Sequence, residues 1–323
     1  MRAPDFWHAP SLAGRLLAPL GSVYAWAVAR RLAKGDAYRP AVPVICVGNI
    51  VAGGAGKTPV CMALVERLHA RGRQPHLLTR GYGGTEAGPR AVDLLRHDAA
   101  RVGDEALLLA ACAPTWVARW RPDGAVAAVQ MGADILVMDD GFQNPSMAKD
   151  LSLVVVDGAY GFGNGLPMPA GPCREDVRAG LARADAVVLM GEDRAGVARQ
   201  CGGLLVLAAR LVPGPEAEGL RDRKVVAFAG IGRPAKFFET LRACGAEVVA
   251  AHSFADHHPY GRAELARLAA EAQAAGALLA CTAKDAVKVP SDLRGALTVL
   301  TVRLEWDKPE AVDVLLDRVD SRF

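Results

Sequence analysis

Lys57 and Thr58 close a glycine-rich run, Gly53-Gly54-Ala55-Gly56-Lys57-Thr58-Pro59. Apolar Val42 to Val47 precede it as a strand. Val60, Cys61, Leu64, Val65 and Leu68 follow at helical spacing. Strand, glycine turn and helix form a cradle in which backbone N–H groups and the helix dipole receive an anion. In that cradle Lys57 reaches the β/γ-phosphates of a nucleoside triphosphate, and the Thr58 hydroxyl ligates Mg²⁺. The run is irregular: Val51 stands where a regular phosphate loop has its first glycine. Ala52 stands where partner-recruiting membrane ATPases carry a lysine.

Other groups extend the chemistry. Asp139-Asp140 end the apolar run Ile135 to Met138, the pattern that holds a divalent cation on a triphosphate. Asp104-Glu105 follow Gly103 at a helix start, where the dipole alone favours acids; a base for an attacking hydroxyl is the second reading of Asp104, with Glu105 near the metal. Asp256-His257-His258 lie in an aromatic loop with too few further ligands for zinc; a solvated or turn-bonding histidine and one that tunes a carboxylate across a domain interface both remain open there. Arg80, Tyr82 and Arg174 suit an anionic acceptor.

Strands alternating with helices must position these residues, which predicts an α/β fold: a parallel P-loop sheet with helices on both faces. A proline- and glycine-bearing stretch near Arg210 to Pro215 reads as a linker to a second, smaller α/β domain. The expected organisation is an N-terminal interfacial helix region 1–35, a P-loop kinase domain 36–212 and a smaller domain 213–323. The net charge of +3 does not argue for nucleic acid, and seven scattered cysteines without a C-x-x-C pair suit reduced core thiols. The uncharged stretch Leu16 to Ala29, broken by Pro19 and Gly21, is too short to span a bilayer, and Asp5 against Arg2 disfavours a signal peptide. An interfacial helix ended by Arg30, Arg31 and Lys34, with Leu16, Leu20, Val23, Tyr24, Ala27 and Val28 on one face, and an ordinary core helix both remain open.

Taken in order, the motifs resemble the tetraacyldisaccharide 4′-kinase family of lipid A biosynthesis. Val47-Gly48-Asn49-Ile50 with the phosphate loop, Arg80-Gly81-Tyr82-Gly83, Val102 to Glu105 and Asp139-Asp140-Gly141-Phe142-Gln143 carry the resemblance. So do Pro169 to Glu175, Phe228 to Ile231, Phe254 to His258 and Lys284 to Lys288. Asn144, Cys173 and Ala283 depart from the usual pattern. The resemblance implies an ATP- and Mg²⁺-dependent kinase acting on the 4′-hydroxyl of a membrane-embedded tetraacylated glucosamine disaccharide 1-phosphate. It implies peripheral placement on the cytoplasmic face of the bacterial inner membrane and no nucleic-acid partner. By the same resemblance Asp104 is the base, with His257 its partner and Lys57 also catalytic. Val51, Ala52, Gly53, Gly54, Ala55, Gly56, Lys57 and Thr58 hold the nucleotide. Thr58, Glu105, Asp139 and Asp140 surround the metal, and Asn49, Arg80, Tyr82, Gln143, Arg174 and Glu175 meet the acceptor. The competing class is a membrane-associated P-loop ATPase or GTPase switch, for which Thr282-Ala283-Lys284-Asp285 superficially looks like a guanine reader.

Overall fold

The computed structural model describes residues 4–34 and 36–321; Arg2 and the expected boundaries at 1, 35 and 323 lie outside the described residues. Strands run β1 (Val44–Gly48), β2 (Pro75–Thr79), β3 (Arg90–Ala91), β4 (Thr115–Val117), β5 (Ile135–Asp139), β6 (Leu151–Asp157), β7 (Ala186–Met190) and β8 (Leu205–Pro213). They continue as β9 (Lys224–Ala229), β10 (Glu247–Ser253), β11 (Leu278–Thr282), β12 (Thr298–Leu300) and β13 (Val302–Trp306). A nine-stranded sheet has the order β13-β8-β7-β6-β1-β5-β2-β4-β3, and a four-stranded sheet has the order β10-β9-β11-β12. The larger is parallel except for β13 and β3 at its edges, and the smaller is wholly parallel. β1, β2, β5 and β7 are buried at every position, which is why β1 and β7 read as unbroken apolar runs.

Helices cover both faces of the large sheet. One face packs on α2 (Lys57–Ala70), α3 (Asp104–Ala110) and the C-terminal helix Pro309–Asp320, through Leu64, Leu68, Leu109, Leu315 and Leu316. The other packs on α4 (Arg121–Gln130) and the loops carrying Phe142, Phe162 and Cys173. The expected linker around Arg210 is instead the end of β8. Its partner β13 lies far along the chain, pairing Arg210 with Glu305 and Ala209 with Trp306. Residues 302–320 thus leave the small sheet and return to the large one, where Arg71 binds Asp313 and Asp317 at 3.1 and 2.7 Å.

The N-terminal helix α1 (Leu12–Ala33) is continuous through Pro19 and Gly21 and longer than the uncharged stretch Leu16 to Ala29, with Ser11 as its N-cap. It is long and apolar enough to cross a membrane by length and composition. It buries only Gly14, Gly21 and Val28, one stripe at seven-residue spacing, with Gly14 and Gly21 against the 164–170 loop. Leu12, Leu16, Leu20, Val23 and Trp26 stay exposed. Val28 therefore faces the protein and not the apolar face it was expected to share with Leu16 and Leu20.

Candidate active site

Parallel strands deliver their carboxyl ends to one rim, where open α/β sheets bind ligands. β1 ends at Asn49 and the phosphate loop, β5 at Asp139-Asp140, and β2 at Arg80. A Cβ on Gly48 would lie 2.4 Å from the Phe142 Cβ, so only glycine lets β1 approach the Asp140 loop so closely. Gly103 does the same for α3: its φ is +88°, and a Cβ there would meet the Tyr82 carbonyl at 2.5 Å. Asp104 is thereby pressed against the Arg80–Tyr82 loop.

Lys57 opens α2, and its Nζ lies 3.5 Å from Asp140 Oδ1, which also accepts a 2.7 Å bond from Arg174. Burial by itself would raise Asp140, but Lys57 and Arg174 hold it below the ordinary carboxylate range. Asp139 is fully buried, and burial with the charge of Glu105 pushes it up. Its Oδ1 accepts a 3.7 Å contact from the Cys61 thiol, while Oδ2 has no hydrogen-bond partner. An orphaned buried carboxylate oxygen is costly, and a cation is the natural partner for it. With Asp140, Glu105 and Thr58 the donors are all oxygen, which suits a hard divalent ion. No three His, Cys, Asp or Glu side chains converge as a metal cage among the described residues.

Gly53 and Gly54 have open space where a Cβ would stand, so the loop leaves room for a ligand. The Ala52 N–H is spent on Pro172 O, and Val51 is bridged to Cys173. Within the expected nucleotide loop, the Gly53 to Thr58 portion therefore carries the open cradle.

Asp104 is buried, and its Oδ2 meets His257 Nδ1 at 2.8 Å across the gap between the two sheets' loops. Burial would raise Asp104; the His257 hydrogen bond and Lys284 outweigh it, and its pKa is lowered. His257 is raised, chiefly by that bond. The Tyr82 ring lies edge-on to His257 with centroids 5.5 Å apart. Arg80 and Tyr82 are exposed at the same rim.

Three expected acceptor residues, Asn49, Gln143 and Glu175, bond to one another and to the loops. Glu175 is buried, accepting from Arg183 and, at 2.8 Å, from Gln143, which also donates to Asn49 O at 2.8 Å. Asn49 donates to Gly53 O at 3.2 Å, and its own Oδ1 is buried without a partner. These three brace the loops, and Arg174 is the member of the group that reaches the Asp140 carboxylate.

Sequence reasoning assigned no role to Asp285 beyond the guanine-reader likeness. Asp285 is fully buried, accepting from Gly230 N and Tyr260 Oη at 2.9 and 2.8 Å and pairing with Lys288 at 2.9 Å. Its carboxylate is consumed in bracing the His257 loop, so no guanine is read there.

The family model for tetraacyldisaccharide-1-P 4′-kinase matches residues 13–320. The tetraacyldisaccharide 4′-kinase of Paramagnetospirillum magneticum is 66% identical over 324 residues, covering 100% of both chains. That of Rhodospirillum rubrum is 54% identical, covering 99% of this chain and 98% of the relative. In fold, the chain is similar to the crystal structure of LpxK from Aquifex aeolicus in complex with ATP, with a TM-score of 0.76. The identity there is 24%, over 95% of this chain and 99% of that one.

Proposed function

We infer how the cleft works from one premise: this chain belongs to the tetraacyldisaccharide-1-phosphate 4′-kinase family. It is a bacterial, ATP-dependent kinase that phosphorylates the 4′-hydroxyl of a tetraacylated glucosamine disaccharide 1-phosphate in lipid A biosynthesis.

In our reading the nucleotide's phosphates lie in the Gly53–Thr58 cradle, with Lys57 on the β/γ oxygens. Thr58, Glu105, Asp139 and Asp140 would hold Mg²⁺, which when bound neutralises charge on those phosphates. The 4′-oxygen attacks the γ-phosphorus, its proton passes to Asp104 Oδ2, and the bond to the β-phosphate oxygen breaks to release ADP. His257 keeps Asp104 oriented by donating its Nδ1–H to the carboxylate. Arg174, held by Asp140, faces the transferring group, and Arg80 and Tyr82 face the acceptor. The observation that best supports these roles is the 2.8 Å His257–Asp104 bond, made where the small unit meets the rim of the phosphate-binding sheet.

The acceptor's acyl chains remain in a bilayer, and we read α1 as the contact with it. One face of α1 is docked: Gly21 abuts Pro167 O, and Arg31 donates to Gln143 O at 3.5 Å. The opposite face exposes four large apolar side chains, Leu16, Leu20, Val23 and Trp26, between Arg15 and Arg30-Arg31-Lys34. A helix docked along one side and bare on the other suits lying in the interface better than crossing it, with cations toward anionic headgroups. The reading is therefore a peripheral enzyme on the cytoplasmic face of the inner membrane.

The test is an assay with γ-labelled ATP and the disaccharide lipid in mixed micelles. Label on the lipid, removed by a 4′-phosphatase, is expected. Release of labelled phosphate alone would instead favour an ATPase switch.

A further inference from the structure

We propose that Lys284 is a positioning residue for phosphoryl transfer: a cation carried by the small unit that spans the cleft and sets the Asp104–His257 pair. The proposal rests on the kinase reading above. Lys284 lies in the helical turn Ala283–Ala286 directly after β11, a turn capped by the Thr282 hydroxyl. Neighbouring residues of that turn serve opposite directions. Asp285 is buried in the small unit, bonded to Gly230 N and Tyr260 Oη. Lys284 reaches out to the rim of the large sheet.

Its Nζ is surrounded by acceptors from both units. Asp256 Oδ1 lies at 3.4 Å and His257 Nε2 at 3.5 Å, both on the small unit. Glu105 Oε1 at 3.7 Å and Asp104 Oδ2 at 3.9 Å belong to α3 on the large one. The Lys284 side chain is only 22% exposed, so it is not a free surface lysine that happens to pass an acid. An ammonium is a compact point charge with three donors, suited to the centre of several acceptors in a way a planar guanidinium is not.

Two consequences follow for the reaction. His257 Nδ1 faces the Asp104 carboxylate, which can only accept, so Nδ1 carries a proton; in the neutral imidazole Nε2 then accepts, and in the imidazolium it donates toward Asp256 Oδ2 at 3.7 Å. Lys284 stands beside Nε2, which fixes the ring plane from both ends. His257 also has a φ of +60°, a conformation that a non-glycine residue keeps only when its surroundings enforce it. Lys284 holds Asp256 and His257 from the small unit while its charge draws α3 toward them. Without it, two adjacent carboxylates at the start of α3 lose their shared cation, and the imidazole is free to turn away from Asp104.

The experiment compares wild type, Lys284→Met, Lys284→Arg, His257→Ala and the Lys284→Met/His257→Ala double variant. Each full-length protein is assayed for lipid phosphorylation with ATP varied, and its Tm is recorded. Lys284→Met should lower kcat on the order of tenfold or more, with KM for ATP within about twofold. Lys284→Arg, which keeps the charge but not the compact geometry, should recover only part of the loss, and the double variant should fall within about threefold of His257→Ala alone. A kcat for Lys284→Met within about twofold of wild type overturns the proposal. So does a loss confined to KM for ATP, or losses that multiply in the double variant. If Lys284→Met does not fold, Lys284→Gln, of similar length and uncharged, is held to the same outcomes. A wild-type protein that labels no lipid would instead bring down the kinase reading, whereas active wild type with an equally active Lys284→Met brings down only this one.

Discussion

Replacing Leu16 and Leu20 by serine should detach the protein from membranes without touching its fold. The two side chains are 73% and 59% exposed, so they make little contact that the folded protein would lose. Fully burying a leucine is worth ~1.5–3 kcal/mol, and these positions have more than half of that still to gain from an apolar phase. At ~1.5 kcal/mol each, the pair accounts for ~3 kcal/mol, on the order of a hundredfold in partitioning. The assay is sedimentation with anionic vesicles, run beside nucleotide binding and thermal melting. The double variant should bind vesicles on the order of a hundredfold more weakly, with its Tm and ATP affinity unchanged. Vesicle binding as tight as wild type would refute the reasoning, because α1 would then not be the apolar contact. A large fall in Tm would show that these side chains serve the fold.

Lys57→Ala should cut turnover on the order of a hundredfold with the Tm preserved, since a charge clamp on a transferring phosphoryl group is typically worth a few kcal/mol; kcat and a melt read it. Gly48→Ala should destabilise by about 2 kcal/mol, because its Cβ would stand 2.4 Å from the Cβ of buried Phe142, and thermal melts give the value. The His257–Asp104 bond should make stability depend on pH in two directions. His257 is raised above its ordinary 6.5, so its contribution is full below that pH and fades as pH rises through the raised value. Asp104 is lowered from its ordinary 3.8, so its contribution is present above that pH and is lost as pH falls through the lowered value. The Tm gap between wild type and His257→Ala should therefore be wider at pH 6 than at pH 9; an equal gap at both would count against the charged pair.

The phosphate loop and the strands feeding it were legible because their signals are local. β11 falls where an apolar run ends in Thr282, and β5 where one ends in two aspartates. β8 was hidden because Arg210, Pro213 and Gly214 resemble linker punctuation, and its edge partner β13 comes from far along the chain. The uncharged stretch Leu16 to Ala29 was read as too short to span a bilayer, but the helix that holds it runs from Leu12 to Ala33 across Pro19, with Gly14 and Gly21 docked on the 164–170 loop. At the site, residue types pointed to Asp104 and His257 separately, while the small sheet brings them together. Glu175 read as an acceptor contact because nothing local reveals that Arg183 and Gln143 engage it. Lys284 stood in a motif but received no role, because its four partners come from two distant segments.

The central claim is that Asp104 and His257 act as one unit across the cleft, and a double-mutant cycle on lipid phosphorylation tests it most directly. Turnover and ATP affinity are measured for wild type, Asp104→Ala, His257→Ala and the variant carrying both. Asp104→Ala should lower kcat with little change in ATP affinity. The double variant should cost far less than the two single losses multiplied together, because each single change already disables the shared function. Losses that multiply fully would show that His257 acts elsewhere, on the sugar or the nucleotide, and would contradict the account.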